Sequence, residues 1–418
     1  MTRRKNILLI SYYFPPLGGV GISRPLALFQ NLPDHGYDCK VLTVKYVLYR
    51  AYEPKLLSTL NKDQIFRAGS TDPSRLLYLM GVRKVSSKSA DSSRVLSKRF
   101  FPDSKAGWIG PAVRLGKKLV QSNQFDLIVS TSPPISAHMV ASELAKSSNI
   151  PWVADFRDYW TSYKAEECFD NESKKARAKV LLNEIKSSAK AIVAVNQSVA
   201  DYVGASVIIS NSYDSKLAKN WRSPLNKDMF TIGVFGTISE LTPVEPLLKV
   251  LAALKNEKGK LYSHIRVIQV GLAEVASLKS RLREFGLENV FDLHGYQPRE
   301  KAIEILSEAA IFYIGVNPKT GFGLTSNRVF TLLSSGRPML AFAGKGSELD
   351  KILAPTGNAF RFDDNSVQAV VEFLAKKIES YLTGNSNFVS EPDYAKEYSS
   401  DRMVEKFARL FDQVPSSK

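Results

Sequence analysis

Four segments of this sequence carry residue types that bind phosphate, orient a sugar or move a proton, and each directly follows a short apolar run. PPLGGVG (15–21) lies between NILLISYYF and an amphipathic stretch, so its backbone amides and the start of a helix are placed to hold an anion. A tight strand-to-helix turn accounts for Gly18 and Gly19 equally well. The segment is not GxGxxG, and no acid ends the next apolar run, CKVLTV, so a dinucleotide fingerprint fails. STSPPISAH (130–138) puts one of only four histidines, His138, in the first turns of a helix, where a neutral imidazole could orient a hydroxyl or accept a proton. WVADFRDYW (152–160) gathers Asp155, Arg157 and Asp158 among aromatics: a cation for phosphate or carboxylate, and acids for sugar hydroxyls. An internal Arg–Asp pair is an equal reading of at least one acid, and core packing is the better reading of Trp152. The densest stretch, 316–342, carries Lys319, Thr325 and Ser326 in a glycine-bearing loop, then a helix from Asn327 with Arg328 in its first turn, together a diphosphate cradle.

The elements that must position these residues are legible from periodicity. Continuous apolar runs such as NILLI, CKVLTV, FDLIVS, PWVADF and AIVAVN alternate with amphipathic stretches, the pattern of a parallel sheet covered on both faces by helices. A second series, TIGVFGT, IRVIQVG, VFDLHGY, IFYIGVN, PMLAFAG and NAFRFD, repeats it. The expected class is α/β, with two Rossmann-like parallel-sheet domains: 1–213, a polar linker at 214–228, 229–395, and a C-terminal helix and tail at 396–418, whose helix could lie on either domain, packing back on the first among the options. Ligands of such sheets lie outside the carboxyl ends of the strands, so facing crevices predict an interdomain cleft.

The composition narrows the partners. With 418 residues, 44% hydrophobic and 23% charged, the chain has material for two full cores and no signature of disorder. Lys and Arg number 57 against 41 acids, a net +16, and residues 75–118 hold eleven basic residues against only Asp91 and Asp103. That segment suits an anionic membrane surface, a phosphorylated ligand or nucleic acid, but it has no base-reading motif and few interleaved aromatics, so nucleic acid is not expected. Cys39 and Cys168 exclude a disulfide framework and have no zinc-like neighbourhood. No run approaches the ~18 apolar residues of a spanning helix. The expected location is cytoplasmic, peripheral at the inner face of the cell membrane.

With these residues in view, the chain resembles the retaining, family 4 type of GT-B glycosyltransferase that builds bacterial surface polysaccharides and glycolipids. The resemblance covers nearly the whole sequence: YYFPPLGGVGISR, PDSKAGW, STSPPISAH, PWVADFRDYW and ISNSYD in the first half, then GVFGTIS, HGYQPREKAIEIL and SNRVFTLLSSGRPMLAF. It implies hexosyl transfer from a UDP-, GDP- or dTDP-sugar to a lipid-linked or glycan acceptor of lipopolysaccharide or exopolysaccharide assembly, with no metal or other cofactor. It places His138 at the transferred sugar, with Arg157 and Asp158 on the acceptor side. Donor-binding positions implied by the same motifs are Gly18, Gly19, Gly236, Thr237, Tyr296, Lys319, Gly321, Phe322, Gly323, Ser326, Asn327, Arg328 and Thr331. Two departures stand out. Where many members carry Glu, seven residues and a second Glu, this chain has Gly323 and Thr331, and SELTPVEP replaces the usual Arg-Lys pair after the first strand of the second domain. Two rival readings stay open: a nucleotide-sugar 2-epimerase on the same fold, and a catalytically inactive glycosyltransferase-like binding protein, which the missing glutamates make credible.

Overall fold

The computed structural model describes residues 3–49, 51–82, 100–160, 171–223, 228–319, 321, 323–385 and 393–415. They form two compact units, Met1–Ser212 with Ser400–Lys418, and Tyr213–Ser399.

In the first unit the apolar runs become β1 (Lys5–Ile10), β2 (Tyr37–Val44), β3 (Ile65–Ala68), β4 (Leu127–Ser132), β5 (Trp152–Phe156), β6 (Ala191–Ala194) and β7 (Val207–Ile208), all parallel, in the order β3-β2-β1-β4-β5-β6-β7. Between them run α1 (Ser23–Asn31), α2 (Pro54–Ser58), α3 (Pro73–Leu79), α4 (Ile109–Ser122), α5 (Ser136–Ser148), α6 (Glu172–Ser188) and α7 (Gln197–Val203). Every residue of β4 and β5 is buried, as expected for strands covered on both faces. The chain order reverses at β1, where Ile7 pairs with Cys39 on one side and Leu127 on the other. The carboxyl ends of β1 and β4 therefore flank the topological switch point, the place where open α/β sheets bind ligands.

The second unit repeats the design with α8 (Ser215–Ala218), β8 (Phe230–Phe235), α9 (Glu245–Glu257), α10 (Gly259–Tyr262), β9 (Ile265–Val270), α11 (Val275–Phe285), β10 (Phe291–Leu293), α12 (Arg299–Leu306), β11 (Ile311–Gly315), α13 (Arg328–Leu333), β12 (Met339–Phe342), α14 (Glu348–Leu353), β13 (Ala359–Phe362), α15 (Val367–Leu382) and α16 (Asp393–Lys396). Its six parallel strands run β10-β9-β8-β11-β12-β13, so its switch point lies between β8 and β11.

The C-terminal helix α17 (Ser400–Gln413) returns to the first unit. Met403, Val404, Phe407 and Phe411 form a buried stripe that joins the first core, with Phe411 edge-on to Tyr37 at 5.7 Å. The 214–228 stretch, which reads as a linker, is docked on the second unit up to Arg222. Trp221 packs against Phe312 and donates Nε1–H to Ser334 Oγ at 3.0 Å, so one large aromatic overrides the polar composition around it.

Candidate active site

At the switch point of the first unit, Arg157 collects the predicted loops. Its Nε, Nη1 and Nη2 groups donate to the carbonyls of Ser132 (3.0 Å), Gly21 (2.8 Å) and Pro133 (3.3 Å), joining the end of the glycine loop after β1 to the Ser-Pro-Pro turn after β4. The guanidinium thus acts first as a staple between two backbones. Asp155 is not its partner: that carboxylate is fully buried and bidentate with Arg24 of α1 at 2.7 and 2.9 Å, and also accepts the Thr131 hydroxyl at 2.7 Å. The internal Arg–Asp pair is therefore Arg24–Asp155, while Asp158 is solvent-accessible. The surrounding protein pushes the Asp158 carboxyl up to about 6, against the Tyr159 N–H and the Arg157 charge.

The glycine loop differs from an open anion cradle. The Gly18 amide donates to Ala51 O at 2.8 Å, and the Gly19 amide faces Glu53 Oε1 at 3.3 Å. An anion at this loop has to displace a carboxylate.

His138 stands in the first turn of α5, wholly buried, with its ring 4.4 Å from that of Phe156. Its Nδ1 lies 2.7 Å from Ser130 Oγ, which also accepts the Trp152 indole N–H at 2.7 Å. Ser130 has one proton to give. Spending it on Nδ1 completes the relay and leaves the ring proton on Nε2. Burial, reinforced by Arg157, pushes the imidazole down to about 3, so it is neutral at physiological pH. A ring with that pKa is too weak a base to take a proton from a hydroxyl, so its chemistry is hydrogen-bond donation rather than acid–base exchange. Nε2 has no partner. Among the described residues only four buried side-chain N or O atoms are unsatisfied: Trp108 Nε1, Ser132 Oγ, His138 Nε2 and His294 Nε2. Ser132 ends β4 and His138 stands in the first turn of α5, on either side of the short switch-point loop.

In the second unit Arg328 plays the part Arg157 plays in the first. Nε donates to Ser326 Oγ (2.8 Å), Nη1 to Phe235 O (2.7 Å) and Nη2 to Thr237 O (3.2 Å), bringing Ser326, Gly236 and Thr237 to one guanidinium. Burial pushes its pKa down to about 10, which leaves it charged at neutral pH, and three of its five N–H groups are engaged. Gly236 has φ +95°, and a β-carbon there would press on Arg328 Nη1 at 3.3 Å. At Gly271 a β-carbon would lie 2.1 Å from Gly236 O, so the ends of β8 and β9 meet without side chains. Gly271 N–H in turn donates to Gly295 O, next to half-buried Tyr296 and to His294 with its unsatisfied Nε2.

Of the other predicted donor positions, Gly321 is buried against Val316. Gly323, Ser326, Asn327 and Thr331 are half-buried around the short helix α13, and Lys319 is exposed with its amide on Asn317 Oδ1 at 3.0 Å. Phe322 lies outside the described residues. Helix α13 has six residues, so its dipole is a weaker device than the sequence suggests. No group of three or more His, Cys, Asp or Glu side chains among the described residues could hold a metal ion. Cys39 is buried, which pushes its thiol pKa up and away from reactivity, and Cys168 lies outside the described residues.

No family model matches the sequence, and no curated protein is significantly similar to it. Solved structures are similar over nearly its full length. Sucrose-phosphate synthase from Thermosynechococcus elongatus covers 98% of this chain and 99% of its own at a TM-score of 0.67 and 13% identity. The fold is GT-B. The lipopolysaccharide outer core galactosyltransferase WaaB matches 98% of this chain and 99% of its own at a TM-score of 0.56 and 11% identity. A structure titled as trehalose-6-phosphate from E. coli, bound with UDP-2-fluoro glucose, matches 99% of this chain and 100% of its own at a TM-score of 0.59 and 12% identity.

On this GT-B frame, sequence reasoning missed Arg24, Glu53, Ser130 as a relay, and Asp103. The Asp103 carboxylate accepts the Ser136 amide (2.9 Å), the Ser136 hydroxyl (2.8 Å) and the Lys105 amide (2.8 Å), and so fixes the start of the helix that carries His138. The signal was present in PDSKAGW, but nothing in the segment itself points to its partner 33 residues on.

Proposed function

We propose that this protein is a retaining glycosyltransferase of the family 4 type. It moves a hexosyl group from a nucleotide-sugar donor to a hydroxyl of a lipid-linked glycan in cell-surface polysaccharide or glycolipid biosynthesis, at the inner face of the membrane. One observation carries the reading: at the switch point, the last residue of β4 and the first turn of α5 bury two polar atoms, Ser132 Oγ and His138 Nε2, that no protein group satisfies. Buried polar atoms are normally hydrogen-bonded, so orphans at a ligand-binding edge call for a ligand rich in hydroxyls. The GT-B fold, and neighbours that include a galactosyltransferase and a UDP-sugar complex, support the donor class.

In this reading the neutral His138 donates Nε2–H to a hydroxyl of the transferred sugar and orients it. The free N–H groups of Arg328, with Lys319, stabilise the departing diphosphate, as positioned cations do for developing charge. The bond from the anomeric carbon to the donor phosphate breaks, the bond to the acceptor oxygen forms on the same face, and the acceptor proton passes to the leaving phosphate oxygen. No side-chain carboxylate is needed as nucleophile, and Gly323 and Thr331 in place of the glutamates alter the grip on the donor. Those two residues also favour a second reading, a donor-binding protein without turnover.

The test is a screen of UDP-, GDP- and dTDP-sugars with membrane extract as acceptor. Release of nucleoside diphosphate from one donor is expected. Calorimetric donor binding without release selects the binding-protein reading, and neither binding nor release by folded protein sinks both.

A further inference from the structure

Ten large hydrophobic side chains are exposed among the described residues, and five of them fall within seven positions: Leu76, Leu77, Leu79 (63% exposed), Met80 (79%) and Val82, on and just after α3. Helix α3 buries none of its residues, yet it is held firmly. Asp72, itself buried, caps it by accepting the Arg75 amide at 3.0 Å and also takes the Tyr12 hydroxyl at 2.8 Å. Tyr78 stacks on the partly exposed Tyr46 with ring centres 6.0 Å apart, and Arg75 lies over Tyr78 while its guanidinium donates to Tyr46 O. The rim is cationic. Lys45 is exposed beside Tyr46 and Arg75 completes the set, with Arg67 beneath them over the Tyr46 ring, its guanidinium donating to the carbonyls of Val44 and Pro15; the helix itself has no acid, and its capping Asp72 is buried and engaged.

Aliphatic tips, a tyrosine pair one layer down and cations around them follow the layering of an anionic bilayer from acyl chains to headgroups. An apolar tip alone would suit a protein partner as well, but the cations set around it match an anionic headgroup layer, where basic side chains are attracted to the surface. We propose that α3 is a membrane-insertion element, docking this chain on an anionic phospholipid surface by sinking Leu76, Leu79 and Met80 below the headgroups while Lys45 and Arg75 engage lipid phosphates. The inference rests on the lipid-linked-acceptor reading for its purpose. Through Asp72 and Tyr12 the docked helix is tied directly to the carboxyl end of β1, the edge where that reading places the acceptor.

The experiment uses the full chain with vesicles of phosphatidylcholine alone or mixed with phosphatidylglycerol. Wild type sediments with the mixed vesicles, more weakly as salt is raised, and little with the neutral ones. Leu79→Ser with Met80→Ser lowers the partition coefficient at least about tenfold, since both side chains give up apolar burial. Met80→Trp shifts its emission to the blue only when mixed vesicles are added. Equal binding of wild type to both vesicle types, unchanged binding of the double variant, an unshifted Met80→Trp emission, or a wild-type dimer that the double variant abolishes would each overturn the proposal. Donor binding is measured on the same variants without lipid. Donor bound without vesicle binding removes the docking and leaves glycosyl transfer standing, whereas vesicle binding without donor does the reverse.

Discussion

Burying an imidazole with one nitrogen unsatisfied costs about 1–3 kcal/mol, so the Ser130–Trp152 relay that fixes His138 is maintained against stability. That cost has a pH signature. The folded pKa of His138 is pushed down to about 3 from an ordinary 6.5, so as pH falls below about 6.5 the unfolded chain takes up a proton that the native state refuses. The stability tied to this group is complete above that pH and is lost on acidification towards the folded pKa, by up to about 1.4 kcal/mol per pH unit. His138→Gln keeps a donor and does not titrate. Guanidinium unfolding at a series of pH values should therefore show a shallower acid slope for the variant than for wild type between about pH 6 and 4. Parallel curves would mean that the imidazole is not buried in its neutral form. In the same variant nucleoside diphosphate release should fall more through kcat than through donor affinity, because orientation is felt in the transition state.

At the scale of the element, α5 has no capping side chain at its own N-terminus and borrows one from Asp103, which accepts the Ser136 amide and hydroxyl. Asp103→Ala should cost about 1–2 kcal/mol, the range for a lost helix cap. It should also speed hydrogen exchange at the amides of 136–139 while leaving the C-terminal turn of α5 protected. If exchange rises evenly along the helix, Asp103 is not its cap. This arrangement marks the limit of what a sequence discloses. The strands were legible because each is a continuous apolar run, and the motif loops were legible because glycine, proline and charge interrupt those runs at the edge where ligands bind. Asp103, Arg24 and Glu53 were not, because their partners lie 33, 131 and 34 positions away and only the folded sheet brings them together. Arg157 and Arg328 were found, but as phosphate ligands. Their first duty, holding backbone carbonyls of neighbouring loops, depends on geometry that a one-letter code does not carry.

At the scale of the molecule, the chain leaves the first unit after Ser212, builds the second, and returns at Ser400, so the first core is closed by a helix some two hundred positions downstream of its last strand. One guanidinium registers that closure. Arg24 pairs with Asp155 of β5, donates to the carbonyls of Ile209 and Ser210 where the chain departs, and lies against Phe407 at 4.7 Å where it comes back. A buried cation surrounded in this way depends on all of its partners, and losing part of the shell leaves charge exposed to an apolar interior or to water. Ending the chain at Ser399 removes the Phe407, Phe411, Met403 and Val404 stripe, each of these side chains contributing on the order of 1.5–3 kcal/mol of burial, and also opens the Arg24 pocket. The loss belongs to the first unit alone. Hydrogen exchange of the shortened chain should therefore show protection collapsing in β1, β2, β4 and β5 while β8, β9, β11 and β12 keep theirs. Equal loss in both sheets would mean that the second unit owes its stability to the first, and retained protection in both would mean that α17 covers the core without holding it together.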